Sequence, residues 1–276
     1  MIVDSHQHFW TLSRGDYPWP NQDVAPIFRD FGPDNLIPLL DAANVHKTVL
    51  VQATDTVAET RFLLDIAAQT DPVAGVVGWV DFIASDAVET LQTLQLNPWL
   101  KGVRPMLQNI ADTDWILQPS AAPVLHQMQE TGLCFDALIQ PRHLPVMDQL
   151  AARYPALPIV VDHVAKPQMG PGIMPSGQWL AGIKALAKHP NVLCKLSGMV
   201  TEIGPDWQSD HIRPFAQVVL GTFGPDRVMF GSDWPVVNLA SAYADWIAFV
   251  TDLITDLPDT EQAQIMGQNA VEFYNL

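Results

Sequence analysis

Two histidines one residue apart stand out first. His6 and His8 end a short apolar run that begins at Ile2. Side chains on a strand alternate with period 2, so both imidazoles point the same way, with Asp4 one step deeper on that face. Inward imidazoles need polar partners. The ends of other apolar runs offer them: Asp162-His163, Gly231-Ser232-Asp233, and Arg104 in Gly-Val-Arg-Pro. A carboxylate after a glycine at the end of a buried run is no ordinary surface group, and its bland alternative is a cap on the next helix. For His163 the bland alternative is a satisfied core histidine. For Arg104 it is a salt bridge beneath a loop, although an inward Arg also polarises a carbonyl or holds a carboxylate. Asp162 has the opposite parity to His163 and reads as structural. Lys195, deeper than Ser197 on one face, suits a structural pair with Asp4 or Asp136 more than catalysis. His143 either overhangs the site or serves its own loop. Trp10, Tyr17 and Trp79, with Trp19 and Trp234, fall near run ends, where aromatic faces stack on a ring-shaped substrate or pack in the core.

These residues share one site only if the runs that carry them are neighbours. Eight β-branched or apolar runs are expected as strands: 2–9, 46–53, 73–82, 100–106, 132–139, 158–164, 191–197 and 227–233. Their starts lie about 26–44 residues apart, close to the roughly 30 residues of a βα unit. Helical stripes fill the gaps, as in Leu36, Leu39, Leu40 and Ala43, or Tyr243, Trp246, Ile247, Val250 and Ile254. Pro33-Asp34 and Pro119-Ser120 read as helix starts, and His189-Pro190 and Phe223-Gly224-Pro225 as stops. Strands alternating with helices imply a parallel sheet. At this length the economical form is a single α/β domain over 1–276, a closed TIM (β/α)8 barrel, with an open doubly wound sheet as runner-up. In a barrel the functional face is the C-terminal end of the strands, where the residues above stand. Two long loops, 10–33 and 165–178, lie beside that face.

Composition narrows the partners. The chain of 276 residues has 30 acidic and 14 basic residues, a formal charge of −16. That excludes phosphate-backbone and anionic-membrane partners, which need clustered Lys and Arg. It leaves a small-molecule substrate and leaves self-association open. Two cysteines are too few for a disulfide framework. With no signal-peptide pattern and no apolar run of about 18 residues, a cytoplasmic location is expected. No G-x-G-x-x-G follows the first run and no G-x-S-x-G occurs, which disfavours dinucleotide binding and a nucleophile elbow.

The motifs DSHQHFW at 4–10, YPW at 17–19, KGVRPMLQ at 101–108, VVDHVAKP at 160–167, CKLSGMVTE at 194–202 and FGSDWP at 230–235 run in one order across nearly the whole chain. Together they resemble the amidohydrolase 2 branch of the amidohydrolase superfamily. Within it they are most similar to the sugar lactonases, such as those acting on fucono- and rhamnonolactones, and also to the pyrone-dicarboxylate lactonases. The resemblance implies hydrolysis of a sugar-acid lactone by an activated water. It casts Asp233 as the base, His163 as a proton donor and Arg104 as an oxyanion stabiliser. It also implies His6, His8, His163 and Asp233 as ligands of one divalent ion, Zn²⁺ or Mn²⁺. Some lactonases that the pattern resembles work without metal, so metal-free catalysis through Arg104 and the histidines stays open. Arg104 stands where binuclear members carry a bridging Lys or Glu, and Leu138-Ile139-Gln140 ends strand 5 without a histidine. Both departures argue against a two-metal centre. A decarboxylase of the same superfamily is the alternative reading, and a non-catalytic sugar-acid sensor the least favoured.

Overall fold

The computed structural model describes residues 1–276. Eight strands follow one another: β1 (Ile2–Gln7), β2 (Val45–Val51), β3 (Val73–Gly78), β4 (Leu100–Val103), β5 (Cys134–Ala137), β6 (Ile159–Val161), β7 (Val192–Leu196) and β8 (Val228–Phe230). The helices are α1 (Pro33–Ala42), α2 (Val57–Ala67), α3 (Ala87–Gln95), α4 (Ala122–Thr131), α5 (Leu144–Arg153), α6 (Gly177–Leu186), α7 (Ser209–Phe223), α8 (Tyr243–Leu253), α9 (Asp259–Ala263) and α10 (Asn269–Tyr274). Every strand stops short of the expected C-terminal bound. The fourth helix begins at Ala122 rather than at Pro119-Ser120.

The sheet order is β1-β2-β3-β4-β5-β6-β7-β8, with every neighbouring pair parallel. The cylinder closes between β1 and the segment after β8. There the His8 N–H donates to the Trp234 carbonyl at 2.7 Å, and the Asp233 N–H donates to the His6 carbonyl at 2.8 Å. Gln7 and Trp234 form an isolated parallel bridge on the same seam. The TIM barrel is thus the observed fold. No helix is long and apolar enough to cross a membrane.

Apolar residues fill the space between strands and helices and the lower barrel interior. Val3, Val49, Val51, Val77, Cys134, Val160 and Met229 point inward, and Ala270 and Tyr274 of α10 close the N-terminal end beneath them. Above this layer the interior turns charged. The Lys195 Nζ lies 2.5 Å from Asp136 Oδ2 and 3.1 Å from Asp162 Oδ1. Tyr274 donates to Asp136 Oδ2 at 2.7 Å, and Arg104 Nη1 donates to Asp162 Oδ2 at 3.3 Å. Burial pushes the Asp162 carboxyl up, but Lys195, His6 and Arg104 outweigh it and hold the group well below the usual range. Lys195 therefore pairs with Asp136, as one reading of the sequence had it, but not with Asp4.

Asp4 departs from its expected place beside His6. The β1–β2 register shifts between Asp4 and Gln7, and Val3 is the residue that faces the interior. Asp4 instead accepts the Ser232 N–H at 2.8 Å and the Tyr243 hydroxyl at 3.1 Å, tying the end of β8 to α8.

Removing one member of a buried ion network leaves uncompensated charge, which costs about 3–5 kcal/mol. Lys195→Met is expected to lower the urea unfolding free energy by about that amount. A loss under 1 kcal/mol would mean that the ammonium is not what balances Asp136 and Asp162.

Candidate active site

The barrel mouth holds a cavity of about 410 Å³ whose walls include His8, Arg104, His163 and Asp233, within the range of small-molecule pockets. His6 lies just beneath, fully buried. Asp233 Oδ1 is the meeting point: His8 Nε2 lies 3.3 Å from it, His6 Nε2 3.7 Å and His163 Nε2 3.9 Å. The structure therefore brings together the five polar residues singled out above, from the ends of β1, β4, β6 and β8.

The other ring nitrogens fix how these imidazoles can act. His8 Nδ1 lies 2.7 Å from the Val51 carbonyl, which can only accept, so Nδ1 carries the proton. In the neutral ring the Nε2 lone pair then faces a carboxylate oxygen at 3.3 Å. Two acceptors in contact need a cation or a proton between them. His6 Nδ1 faces Asp162 Oδ1 at 3.3 Å, and its Nε2 faces Arg104 Nη1 at 3.3 Å. His163 Nδ1 meets Ser197 Oγ at 2.8 Å. One donor atom each from His6, His163 and Asp233 lie within 4.8 Å of one another. Neutral imidazole nitrogens with one carboxylate suit a single divalent ion. A second group, His6 with Asp136 and Asp162, has similar spacing, but the Lys195 ammonium already supplies its positive charge.

Burial drives His6 far below the ordinary imidazole range and His163 down to about 4. Their contacts to Asp233 are therefore not ion pairs near neutral pH. Burial pushes the Asp233 carboxyl up, yet the surrounding histidines, His163 foremost, outweigh it, so the carboxylate stays ionised. Arg104 donates through Nη2 to the Gln52 carbonyl, and Gln52 returns a bond from its amide to the Arg104 carbonyl at 2.8 Å.

Two of these positions depend on unusual backbone. His163, Val164, Ala165 and Lys166 have φ of 52°, 48°, 61° and 48°, a full left-handed turn without glycine. Strand parity carries Asp162 inward after Val160, and the turn then brings His163 in as well. Each such residue costs about 1–2 kcal/mol. The turn is held by the Lys166 N–H on the His163 carbonyl at 2.8 Å and Trp179 Nε1 on the Val164 carbonyl at 2.7 Å. Asp233 is also left-handed, at φ 59°. Gly198, at φ 60°, packs so closely that a Cβ would overlap the His163 ring and sit 3.1 Å from Asp233 Oδ2.

The aromatic expectations need correction. Trp10 is fully buried, with its indole N–H on the Arg29 carbonyl at 2.8 Å and its ring against Trp19 and Phe31. Neither it, Tyr17 nor Trp79 lines the cavity. The aromatic wall is Trp19, whose indole N–H donates to the Ala53 carbonyl at 2.9 Å. Tyr17 sits beside Glu59. Burial raises the Glu59 carboxyl to about 7 although it accepts the Thr54 and Ala53 N–H groups. Trp79 is tied through its backbone N–H to Thr60 Oγ1 at 2.8 Å. His143 is buried and serves its loop, accepting the Gln140 N–H at 3.1 Å. Gln108 and Lys166 also line the cavity. Both stand inside the motifs quoted above, KGVRPMLQ and VVDHVAKP, which was the available signal.

The sequence and the fold have counterparts among known proteins. A family model described as amidohydrolase matches residues 3–276. An L-fucono-1,5-lactonase from Burkholderia ambifaria is 44% identical, with 99% of this chain and 95% of the relative covered. An L-fucono-1,5-lactonase from Burkholderia multivorans is 36% identical, covering 99% of this chain and 96% of the relative. A crystal structure of an amidohydrolase from Burkholderia multivorans with bound zinc superposes with a TM-score of 0.93 at 35% identity, covering 100% of this chain and 99% of that one. With a matching barrel and a family model spanning almost every residue, this chain belongs to the amidohydrolase 2 family.

Proposed function

We propose that the protein hydrolyses a sugar-acid lactone, opening its ring by attack of a water molecule activated at Asp233. The observation that carries this reading is the single carboxylate oxygen ringed by three imidazole Nε2 atoms at the foot of a small cavity. The similarity to L-fucono-1,5-lactonases selects a lactone over a decarboxylation substrate and makes a six-membered aldono-1,5-lactone the first ring to test.

A lactone is an ester closed on itself, so its hydrolysis requires a nucleophile, charge stabilisation at the carbonyl oxygen and a proton for the ring oxygen. The ionised Asp233 takes a proton from water as the water oxygen bonds to the carbonyl carbon. Arg104 lines the same cavity, and its positive charge stabilises the oxyanion that develops. The C–O bond to the ring oxygen then breaks, and the departing alkoxide takes the proton now on Asp233. The product is a hydroxy acid, which releases one proton near neutral pH. His6, His8, His163 and Asp233 would hold a divalent ion, Zn²⁺ or Mn²⁺, and that ion would supply Lewis-acid polarisation of the carbonyl. Burial keeps His6 and His163 neutral near neutral pH, and the Asp162, Val51 and Ser197 contacts aim the His6, His8 and His163 rings in turn.

The direct test is a panel of aldono-1,5- and 1,4-lactones followed by proton release in weakly buffered indicator, with and without Zn²⁺ or Mn²⁺. Turnover of a 1,5-lactone is expected, and inertness toward the whole panel would overturn the reading. Asp233→Asn should lose at least roughly 10²-fold in kcat while keeping its circular dichroism and melting temperature; near-wild-type kcat removes Asp233 as the base. Chelator treatment should abolish turnover and added Zn²⁺ restore it. Full activity in metal-free protein would instead favour stabilisation by Arg104 and the histidines alone. In Gly198→Ala the new methyl displaces the His163 ring, and a fall in kcat of about 10²-fold is expected, the scale for an ångström of misplacement; unchanged kinetics would show that the ring's position is not critical.

A further inference from the structure

Part of the cavity wall is built by the segment after β4, which supplies Met106, Gln108 and Asn109. Segments of this kind are ordinarily mobile, but this one is tied down by one side chain. Arg142, in the turn after β5, commits all five of its N–H donors. Nε donates to Gln140 Oε1 at 3.2 Å. Nη1 donates to the Ala111 carbonyl at 3.2 Å and to Thr113 Oγ1 at 2.9 Å. Nη2 donates to the Gln108 carbonyl at 3.3 Å and to the Ile110 carbonyl at 2.9 Å. Four of the five bonds fall on the one segment. A lysine offers three donors around a point and has no such fork.

The clamp acts most directly on Gln108. Its carbonyl is taken by Arg142, and its N–H donates to the carbonyl of Leu138, another cavity residue, at 3.1 Å. With both backbone groups engaged, the half-buried side chain is the part left free. Its amide makes no hydrogen bond within the protein, and the residue lines a cavity that Trp19 lines as well. An amide offers a donor and an acceptor side by side, the complement of a ring hydroxyl, which is both. The reactive groups His8, Arg104, His163 and Asp233 line the same cavity.

We infer that Gln108 reads a hydroxyl group of the substrate ring and that Arg142 is the positioning residue that fixes it, so the pair sets substrate preference rather than chemistry. The inference rests on the lactonase reading above and adds the means by which a hydroxylated ring is told from a bare one. A site built to hydrogen-bond a hydroxyl discriminates strongly against the analogue that lacks it, because its own polar group is then left unpaired.

The test measures kcat and KM for wild type, Gln108→Ala, Arg142→Lys and Arg142→Met with a polyhydroxylated aldono-1,5-lactone and with δ-valerolactone, whose ring has no hydroxyls. Gln108→Ala is expected to lower kcat/KM for the hydroxylated lactone by roughly tenfold, mostly through KM, the scale of one hydrogen bond. For δ-valerolactone the change should stay within about twofold. The Arg142 variants should show the same selective loss, with Gln108→Ala adding little in the double variant. If wild type turns over δ-valerolactone too slowly to measure, that is the extreme of the same preference. The Gln108→Ala loss is then read as raised KM at unchanged kcat on the hydroxylated ring. Equal losses on both rings, a loss confined to kcat, or no change overturns the inference while leaving lactone hydrolysis intact. A wild type inert toward every lactone overturns both. The Gln108 variant keeps the idea testable if Arg142 substitution impairs folding.

Discussion

Everything at the mouth of this barrel depends on one seam. A cylinder of parallel strands must join its last strand to its first, and here the joining hydrogen bonds belong to the residues of the site. The His8 amide bonds to the Trp234 carbonyl, and the Asp233 amide bonds to the His6 carbonyl. The peptide groups that close the sheet thus set the distance between the first-strand imidazoles and the last-strand carboxylate. Gly231 makes the close approach feasible, since a Cβ there would come within 2.8 Å of the His6 Cβ. Fold and site are in this respect one structure, with ladder bonds doing the positioning that flexible loops do elsewhere.

Beneath the seam, buried charges do what packing alone would not. An apolar interior would leave the underside of His6 without a partner and free to rotate. Instead its Nδ1 faces Asp162 and Lys195, and those are tied through Asp136 to Tyr274 at the far end of the barrel. Such networks are costly to bury, and their members here are complementary: two carboxylates, one ammonium and one guanidinium. The orientation of one ring at the mouth is therefore linked by ionic and hydrogen bonds to a hydroxyl on the last helix.

Much of this was legible in the residues themselves. Strand periodicity and eight apolar runs were enough for the barrel, and polar residues at run ends were enough to bring His6, His8, Arg104 and Asp233 to one mouth. Legibility failed where local backbone broke the period. The register shift in β1 turned Asp4 away from the face that simple alternation assigned to it. His163 was found by its residue type, but the turn that aims it contains Val164 and Ala165, which give no signal for a left-handed conformation. Among the aromatics, loop residues have no period at all. Nothing in their identity distinguished Trp19, which faces the cavity, from Trp10, which packs behind it. The helical cap ending in Tyr274 was likewise missed, because α9 and α10 are short and a π-helical stretch, Gln264–Gln268, separates their patterns.

The left-handed turn at 163–166 has a wider consequence. Taken alone, that segment prefers right-handed or extended backbone, and it holds its shape only while Trp179, Ser197 and the closed sheet press on it. Those contacts offset the strain of four consecutive left-handed residues, whereas the strands are held by their own ladder bonds. The aim of the His163 ring is thus set by contacts that strand and helix content does not report.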